Sequence, residues 1–197
     1  MPSDALLKAL RHVWLTLHRL NVPAAVMGGI ALAAWKYVRA TRDIDLLVSI
    51  AGRDTEDLIR ELRAAGIHSK GSAPVTSLGQ LTAVQLAYEP PETFMELQVD
   101  LLLAKSDYHE QALRRQVSTR LPDLDVEIGV LACEDLILHK LLAGRIIDRA
   151  DVASLLRANR ETLDLDYLRP WVKDLEVTDG LNEAWDEAFP GEPLPGG

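Results

Sequence analysis

The chain has 197 residues, 48% hydrophobic and 26% charged, which is the composition of one globular domain with a small appendage. No apolar run reaches the roughly 18 residues of a membrane span, and no basic-then-apolar secretion signal is found at the N-terminus. We therefore expect a cytoplasmic protein with no membrane partner. The single cysteine, Cys133, excludes an internal disulfide and argues against a thiolate zinc site.

The formal net charge of -9 argues against nucleic-acid binding, because phosphate backbones attract clustered lysine and arginine. The charge is unevenly distributed, however. Residues 161–197 contain ten acidic and two basic residues, so the rest of the chain is close to neutral. We interpret the acidic segment as a solvated helical face rather than a partner-binding surface.

The first half of the chain predicts alternating helices and strands. Leucine and valine recur at three- and four-residue spacing in an amphipathic helix over residues 4–20, and a buried strand follows over 24–27. A double glycine then precedes an alanine-rich helix over 30–37 and a second strand over 43–49. A capped helix is predicted over 54–65, beginning at Asp54 or Thr55.

The second half predicts more strands and then mainly helices. Strands are predicted over residues 67–71, 81–88, 94–103 and 125–130. Helices are predicted over residues 107–116, 134–143, 148–158 and 166–188. The expected fold is α+β (α/β), a mixed sheet flanked by helices, with a core over 1–132 and a small helical C-terminal region over 133–197.

Two aspartates are the first chemical signal. Side chains alternate along a strand, so Asp43 and Asp45 point to one side while Ile44 and Leu46 enter the core. Two carboxylates this close repel each other unless a cation lies between them, and hard oxygen ligands suit magnesium or manganese. A divalent metal site is therefore predicted here.

The double glycine Gly28-Gly29 supplies a second signal. Glycines at a strand end let backbone N–H groups approach a ligand, and the following helix presents its positive end to a phosphate. A lone Gly-Gly pair is weak evidence, but this one precedes an Asp-x-Asp strand by one short helix and a loop. We predict that it binds a triphosphate.

A third carboxylate is expected from the strand 94–103. Glu96, Gln98 and Asp100 share one face of this strand, and Asp100 lies next to its most apolar part. A carboxylate beside core positions needs a partner, whereas Glu96 and Gln98 fit a solvated face better. We choose Asp100 over Glu96 as third metal ligand and general base.

These motifs resemble a known superfamily. Gly-Gly, a short helix, Arg-x-Thr-x-Asp-Ile-Asp over residues 39–45 and a later Val-Asp-Leu strand look like the nucleotidyltransferases related to DNA polymerase beta. The resemblance implies that Gly28 and Gly29 bind the triphosphate of a nucleoside triphosphate. It also implies that the two aspartates of Asp-Ile-Asp bind two magnesium ions and that Asp100 completes the metal set.

A second likeness covers residues 134–151, which resemble the helical region of bacterial abortive-infection and toxin-type nucleotidyltransferases. This resemblance implies that Lys140 neutralises triphosphate charge and that Arg145 and Asp148 support it. Without the resemblance, Lys140 is a polar residue among leucines, and an internal Arg–Asp ion pair in a helix pair explains the other two.

Three further positions bear on this resemblance. Many relatives that modify antibiotics carry tryptophan directly after the double glycine, where this chain has Ile30. Arg39 and Thr41 match the superfamily's residues before the first aspartate, which implies a place at the nucleotide. Alternatively, Thr41 simply caps the loop. Arg39 is expected either to bind a phosphate or to pair with a nearby acidic residue.

Several functions fit these features. The first hypothesis is nucleotide transfer to RNA, a tRNA end, by the toxin of a toxin–antitoxin or phage-defence pair with a cognate antitoxin protein. The second keeps the chemistry but transfers to a small molecule such as an antibiotic, or to a protein. A third is a nucleotide-binding partner protein without turnover, and a fourth is a structural ion site in an unrelated fold.

Overall fold

The computed structural model describes residues 3–78, 81–91, 93, 95–121 and 124–195. The helices are α1 Asp4–Arg19, α2 Gly28–Ala34, α3 Thr55–Ala64, α4 Asp107–Arg114, α5 Cys133–Ala143, α6 Ile146–Asn159, α7 Leu165–Asp174 and α8 Thr178–Ala188. The strands are β1 Ala24–Met27, β2 Asp43–Val48, β3 His68–Ser69, β4 Val75–Leu78, β5 Leu81–Tyr88, β6 Leu97–Leu103, β7 Val117–Thr119 and β8 Ile128–Val130.

The strands form one mixed sheet in the order β3-β5-β6-β2-β1-β8-β7, with β4 also pairing with β5. The central strand β2 runs antiparallel to β1 and parallel to β6. Strand β5 returns antiparallel beside β6, and β8 lies parallel to β1. The predicted α+β fold with a mixed sheet flanked by helices is confirmed.

The helices begin where the sequence provides capping groups. The hydroxyl of Ser3 accepts a hydrogen bond from the Leu6 N–H at the start of α1, and the Asp54 carboxylate accepts one from the Glu56 N–H at the start of α3. The predicted cap at Asp54 is therefore confirmed. Within the described ranges, every helix is too short or too polar to cross a membrane.

One hydrophobic core joins the sheet to the C-terminal helices. Ile44 and Leu46 of β2 are fully buried, and so are Leu136 of α5 and Leu156 of α6, all within one cluster. The ten acidic side chains of segment 161–197 are all exposed, as expected of a solvated helical face. Residues 133–197 thus pack on the same core as residues 1–132.

Several boundaries differ from the sequence prediction. Helix α2 begins at Gly28 instead of residue 30, and it ends at Ala34 because the backbone leaves the helical conformation at Trp35 and Lys36, the latter with φ 63°. Strand β6 begins at Leu97, and Phe94, where it was predicted to begin, lies outside the described residues. The predicted helix 166–188 is two helices, α7 and α8, because the chain turns at Glu176, which has φ 57°.

Strands β4 and β7 were not predicted. Both are short and lie at the margin of the sheet, where Val75 and Val117 are exposed. Edge strands need no buried face, so their sequences lack the apolar alternation that marks β2 and β6. Each pairs antiparallel with the strand that follows it in the chain, β4 with β5 and β7 with β8.

Two isoleucine truncations test this packing. We expect Ile44→Ala to lower the free energy of unfolding by about 2–5 kcal/mol, because Ile44 is fully buried and its removal leaves a cavity. The matched variant Ile146→Ala should change it by less than about 0.5 kcal/mol, since Ile146 is 94% exposed. Urea denaturation of both variants measures the difference, and equal losses would contradict the arrangement of the core.

Candidate active site

The register of two parallel strands brings the predicted carboxylates to one face of the sheet. Asp45 of β2 lies directly opposite Asp100 of β6, and Asp43 lies opposite Gln98. Side chains paired in this way point to the same side. The structure therefore places Asp43, Asp45 and Asp100 together on one surface, while Glu96 is exposed and precedes β6.

Two of these carboxylates each accept hydrogen bonds through one oxygen only. Asp43 Oδ1 accepts from the Thr41 hydroxyl and from the Arg42 backbone N–H, both at 3.1 Å. Asp100 Oδ2 accepts from Gln98 Nε2 at 2.7 Å. Asp100 Oδ1 is buried without a hydrogen-bond partner among the described residues, which leaves one oxygen of the pair unused.

A short chain of contacts extends from Asp100 to the surface. Gln98 Oε1 accepts a hydrogen bond of 2.5 Å from the ammonium group of Lys70, an exposed residue directly after β3. Gln98 thus links a surface cation to the third carboxylate. Its amide donates to Oδ2 alone and so fixes which oxygen of Asp100 stays free.

Asp45 is the most strongly perturbed of the three. The pKa of Asp45 is raised to about 7. Burial is the largest cause and repulsion from Asp43 and Asp100 contributes, while the attraction of Lys140 and Arg145 opposes the shift. The pKa of Asp100 is also raised, first by burial and then by Asp43, although the hydrogen bond from Gln98 opposes the shift. The site therefore resists holding its full negative charge.

The structure does not by itself show a metal centre. Across the residues it describes, no group of three or more His, Cys, Asp or Glu side chains is arranged to hold a metal ion. The predicted magnesium or manganese site at Asp43, Asp45 and Asp100 therefore stays a prediction.

The double glycine approaches these carboxylates closely. A Cβ atom on Gly28 would lie 1.9 Å from Asp45 Oδ2, and Gly28 has a φ of +63° that other residues rarely adopt. A Cβ atom on Gly29 would lie 2.6 Å from Thr41 Oγ1. Both glycines are thus needed to bring the start of α2 against β2, and no side chain caps α2.

A buried ion-pair network adjoins the carboxylates. Lys140, only 4% exposed, places Nζ 2.9 Å from Asp148 Oδ1 and 2.6 Å from Asp151 Oδ2. Arg145 also donates to Asp148, and Arg39 donates to both oxygens of Asp151. Three cations thus share two carboxylates, and the excess positive charge lies beside Asp45.

The ion-pair network contains four of the residues predicted to bind nucleotide. Arg39 pairs with an acid, Asp151, and Arg145 and Asp148 form the ion pair that explains them without the resemblance. Lys140 is bound by two carboxylates, yet it lines a cleft of about 60 Å³ together with Gly28 and Asp45. The contribution of these residues to nucleotide binding stays a prediction.

Three residues of the site were not selected from the sequence. Lys70 donates to Gln98, which in turn donates to Asp100. Asp151 binds both Lys140 and Arg39. Strand alternation placed Gln98 on the correct face, but nothing local distinguishes a bonded glutamine from a solvated one. The distance of 112 residues between Arg39 and Asp151 leaves no local signal for their pairing.

The fold and its carboxylate-bearing strands define a class of enzyme, the nucleotidyltransferases, and the resemblance inferred from the sequence is confirmed. Residues 8–192 match the model of the family described as nucleotidyl transferase AbiEii toxin, type IV toxin–antitoxin system. Because the match spans nearly the whole chain, the protein belongs to the AbiEii family. No curated protein matches the chain.

Solved structures share the fold at low sequence identity. An antigenic nucleotidyltransferase-like protein from Paracoccidioides brasiliensis is 18% identical, with a TM-score of 0.55 over 95% of this chain and 97% of that one. A candidate nucleotidyltransferase from H. pylori is 18% identical, with a TM-score of 0.54 over 98% and 86%. ANT(2″)-Ia in complex with adenylyl-2″-tobramycin is 13% identical, with a TM-score of 0.55 over 86% and 96%. These similarities show the fold alone.

The raised pKa of Asp45 predicts a pH-dependent stability. The folded pKa of about 7 exceeds the ordinary 3.8, so the fold favours protonated Asp45 and loses stability as pH rises between these values. Without added metal, Asp45→Asn should therefore become more stable than wild type as the pH rises from about 4 to about 7. Urea denaturation across this range measures the difference, and a pH-independent difference would contradict the shift.

A pair of glycine variants tests the approach of Gly28 to Asp45. Gly28→Ala and Gly52→Ala both place alanine at positive φ, at a cost of roughly 1–2 kcal/mol each, but a Cβ on Gly52 meets nothing within 4 Å. Only Gly28→Ala displaces the carboxylate, so it should lower nucleotide transfer by about 100-fold while Gly52→Ala retains it. Transfer of label from nucleoside triphosphates into a cell extract provides the measurement, and equal activity in both variants would contradict this role.

Proposed function

We propose that the protein transfers a nucleoside monophosphate from a nucleoside triphosphate to RNA, at a tRNA end, as the magnesium-dependent toxin of a cytoplasmic toxin–antitoxin pair. The observation that carries the proposal is the register of Asp45 and Asp100, which places two carboxylates side by side next to the Gly28 bend. A cognate antitoxin protein is the expected partner. The family's description as a toxin supports this setting.

The chemistry of the donors fits a divalent metal. Asp43, Asp45 and Asp100 would hold magnesium or manganese, because they present hard oxygen ligands and Asp100 Oδ1 is buried without a partner. The raised pKa of Asp45 indicates negative charge that the protein itself does not fully balance. When bound, the metal supplies charge neutralisation for the triphosphate and lowers the pKa of the attacking hydroxyl.

Side chains and backbone groups of the protein would bind the triphosphate and accept the proton of the acceptor hydroxyl. The backbone at Gly28 and Gly29 admits the triphosphate because no Cβ atom obstructs it, and Lys140 and Arg145 add positive charge beside Asp45. Asp100 takes the proton of the acceptor hydroxyl, and its raised pKa favours this role. The new bond joins the acceptor oxygen to the α-phosphorus as the bond to pyrophosphate breaks.

A polyanionic acceptor fits the charges around the site. Lys70 and Arg145 are exposed and lie close to the carboxylates, in a chain whose net charge is -9. The acidic residues of segment 161–197 lie instead on α7, α8 and the adjoining turns. Local positive charge at the cleft attracts phosphate groups despite the overall balance.

The decisive assay is transfer of labelled nucleotide. Purified protein with labelled nucleoside triphosphates, magnesium and total tRNA should label RNA, and Asp45→Asn should reduce labelling by at least about 100-fold because a metal ligand is lost. The matched variant Asp166→Asn should retain activity, since Asp166 is 94% exposed on its side chain. Expression of wild type, but not of Asp45→Asn, should also inhibit bacterial growth.

Each other outcome selects a different function. Label in an aminoglycoside or another antibiotic, together with raised resistance, would indicate a small-molecule acceptor. Label in protein would indicate a protein acceptor. Tight nucleotide binding with no label transferred to RNA, protein or small molecule would indicate a nucleotide-binding partner without turnover.

A further inference from the structure

A larger pocket lies beyond the cleft at Asp45. It has a volume of about 590 Å³, within the range of ligand-binding pockets, whereas the cleft has about 60 Å³. Its wall is formed by the first residue of β5, the segment after β6, α4, α5 and α7. The residues that line it include Leu81, Lys105, His109, Leu142, Trp171 and Leu175.

The pocket and the third carboxylate share one face of the sheet. Gln85 of β5 lies opposite Asp100, and Ala83 lies opposite Leu102, so Leu81 continues the same row of side chains. Leu81 lines the pocket. Leu81 and Gln85 are four positions apart on β5, which separates them by roughly 13 Å. One or two extended nucleotides bridge that distance.

Trp171 is the aromatic ring that the pocket presents. It is partly exposed, and it packs against Tyr108 with ring centroids 5.1 Å apart and against Tyr167 at 6.5 Å. Tyr167 is itself fixed, because its hydroxyl donates to Asp135 at 2.6 Å and the Arg115 guanidinium lies 3.6 Å from its ring centroid. The orientation of Trp171 is therefore set before any ligand binds.

The rest of the wall combines a neutral imidazole with polar groups. Nδ1 of His109 lies 3.0 Å from the Ser106 hydroxyl, while Nε2 is buried without a partner among the described residues. Burial lowers the pKa of His109, so the ring is uncharged at neutral pH. Lys105 adds a positive charge on the pocket wall, and Asp107 and Asp174 add two negative ones.

We infer that this pocket binds a nucleobase within the last two nucleotides of a single-stranded acceptor, stacked on Trp171. The inference rests on the proposed function, because it places the acceptor strand between the pocket and Asp100. Aromatic side chains bind unpaired bases by stacking, and each such contact strengthens binding severalfold to more than a hundredfold. An aminoglycoside has no planar ring and gains nothing from this wall.

The test measures binding without turnover. Asp45→Asn protein is titrated into a fluorescent six-residue RNA oligonucleotide, and into the same oligonucleotide without bases at its last two positions. We expect the intact oligonucleotide to bind at least about tenfold more tightly. Trp171→Leu, added to the same protein, should bring this ratio close to one, and Trp171→Phe should largely preserve it because a ring remains.

The matched control is Trp14→Leu. Trp14 is also partly buried, but it lines a separate groove with Leu17 and Val22 on α1 and the loop after it. This variant should keep the full preference for the intact oligonucleotide. Equal binding of the two oligonucleotides, or a preference that survives Trp171→Leu, would overturn the inference.

A second measurement needs no substitution in the pocket. The oligonucleotide carries 4-thiouridine at its last position, is irradiated with the protein, and the linked peptide is identified by mass spectrometry. Cross-links are expected in α4 or α7, and cross-links confined to other elements would overturn the inference. Label transfer by wild type with no base-dependent binding would refute the pocket alone, whereas base-dependent binding with no transfer would refute the proposed function alone.

Discussion

The side-by-side placement of like charges on β2 and β6 is the constraint on which the candidate site depends. Parallel pairing places Asp45 beside Asp100, and burial at this point raises the pKa of both. A fold that buries such a pair loses stability unless a cation or a proton reduces the charge. The same repulsion is the physical basis of the proposed divalent metal site.

The surrounding structure balances this charge in part. Lys140 and Arg145 act on Asp45 from α5 and the turn that follows it, but both are also bound to Asp148. Asp151 binds both Lys140 and Arg39, which fixes the loop before β2 against α6. The C-terminal helices therefore do more than cover the sheet, because they position positive charge at the edge of the carboxylate site.

The two cavities divide the surface by chemistry. The small cleft is lined by charged groups around Asp45 and Lys140, and the larger pocket presents the rings of Trp171 and His109. Leu81 of the larger pocket continues the row of β5 side chains in which Gln85 lies opposite Asp100. The proposed triphosphate site and the proposed base site rest on this difference in chemistry between the two cavities.

The sequence alone determined the class of fold and most of the site. Alternation along strands placed Asp43, Asp45 and Asp100 on shared faces, and the Gly-Gly and Asp-Ile-Asp motifs indicated the family, because these are local patterns of short range. Only the tertiary structure decided that Asp45 lies opposite Asp100 and that Asp151 binds Arg39 from 112 residues away. Strand register and helix docking set those contacts, and both depend on packing between segments that no local pattern records.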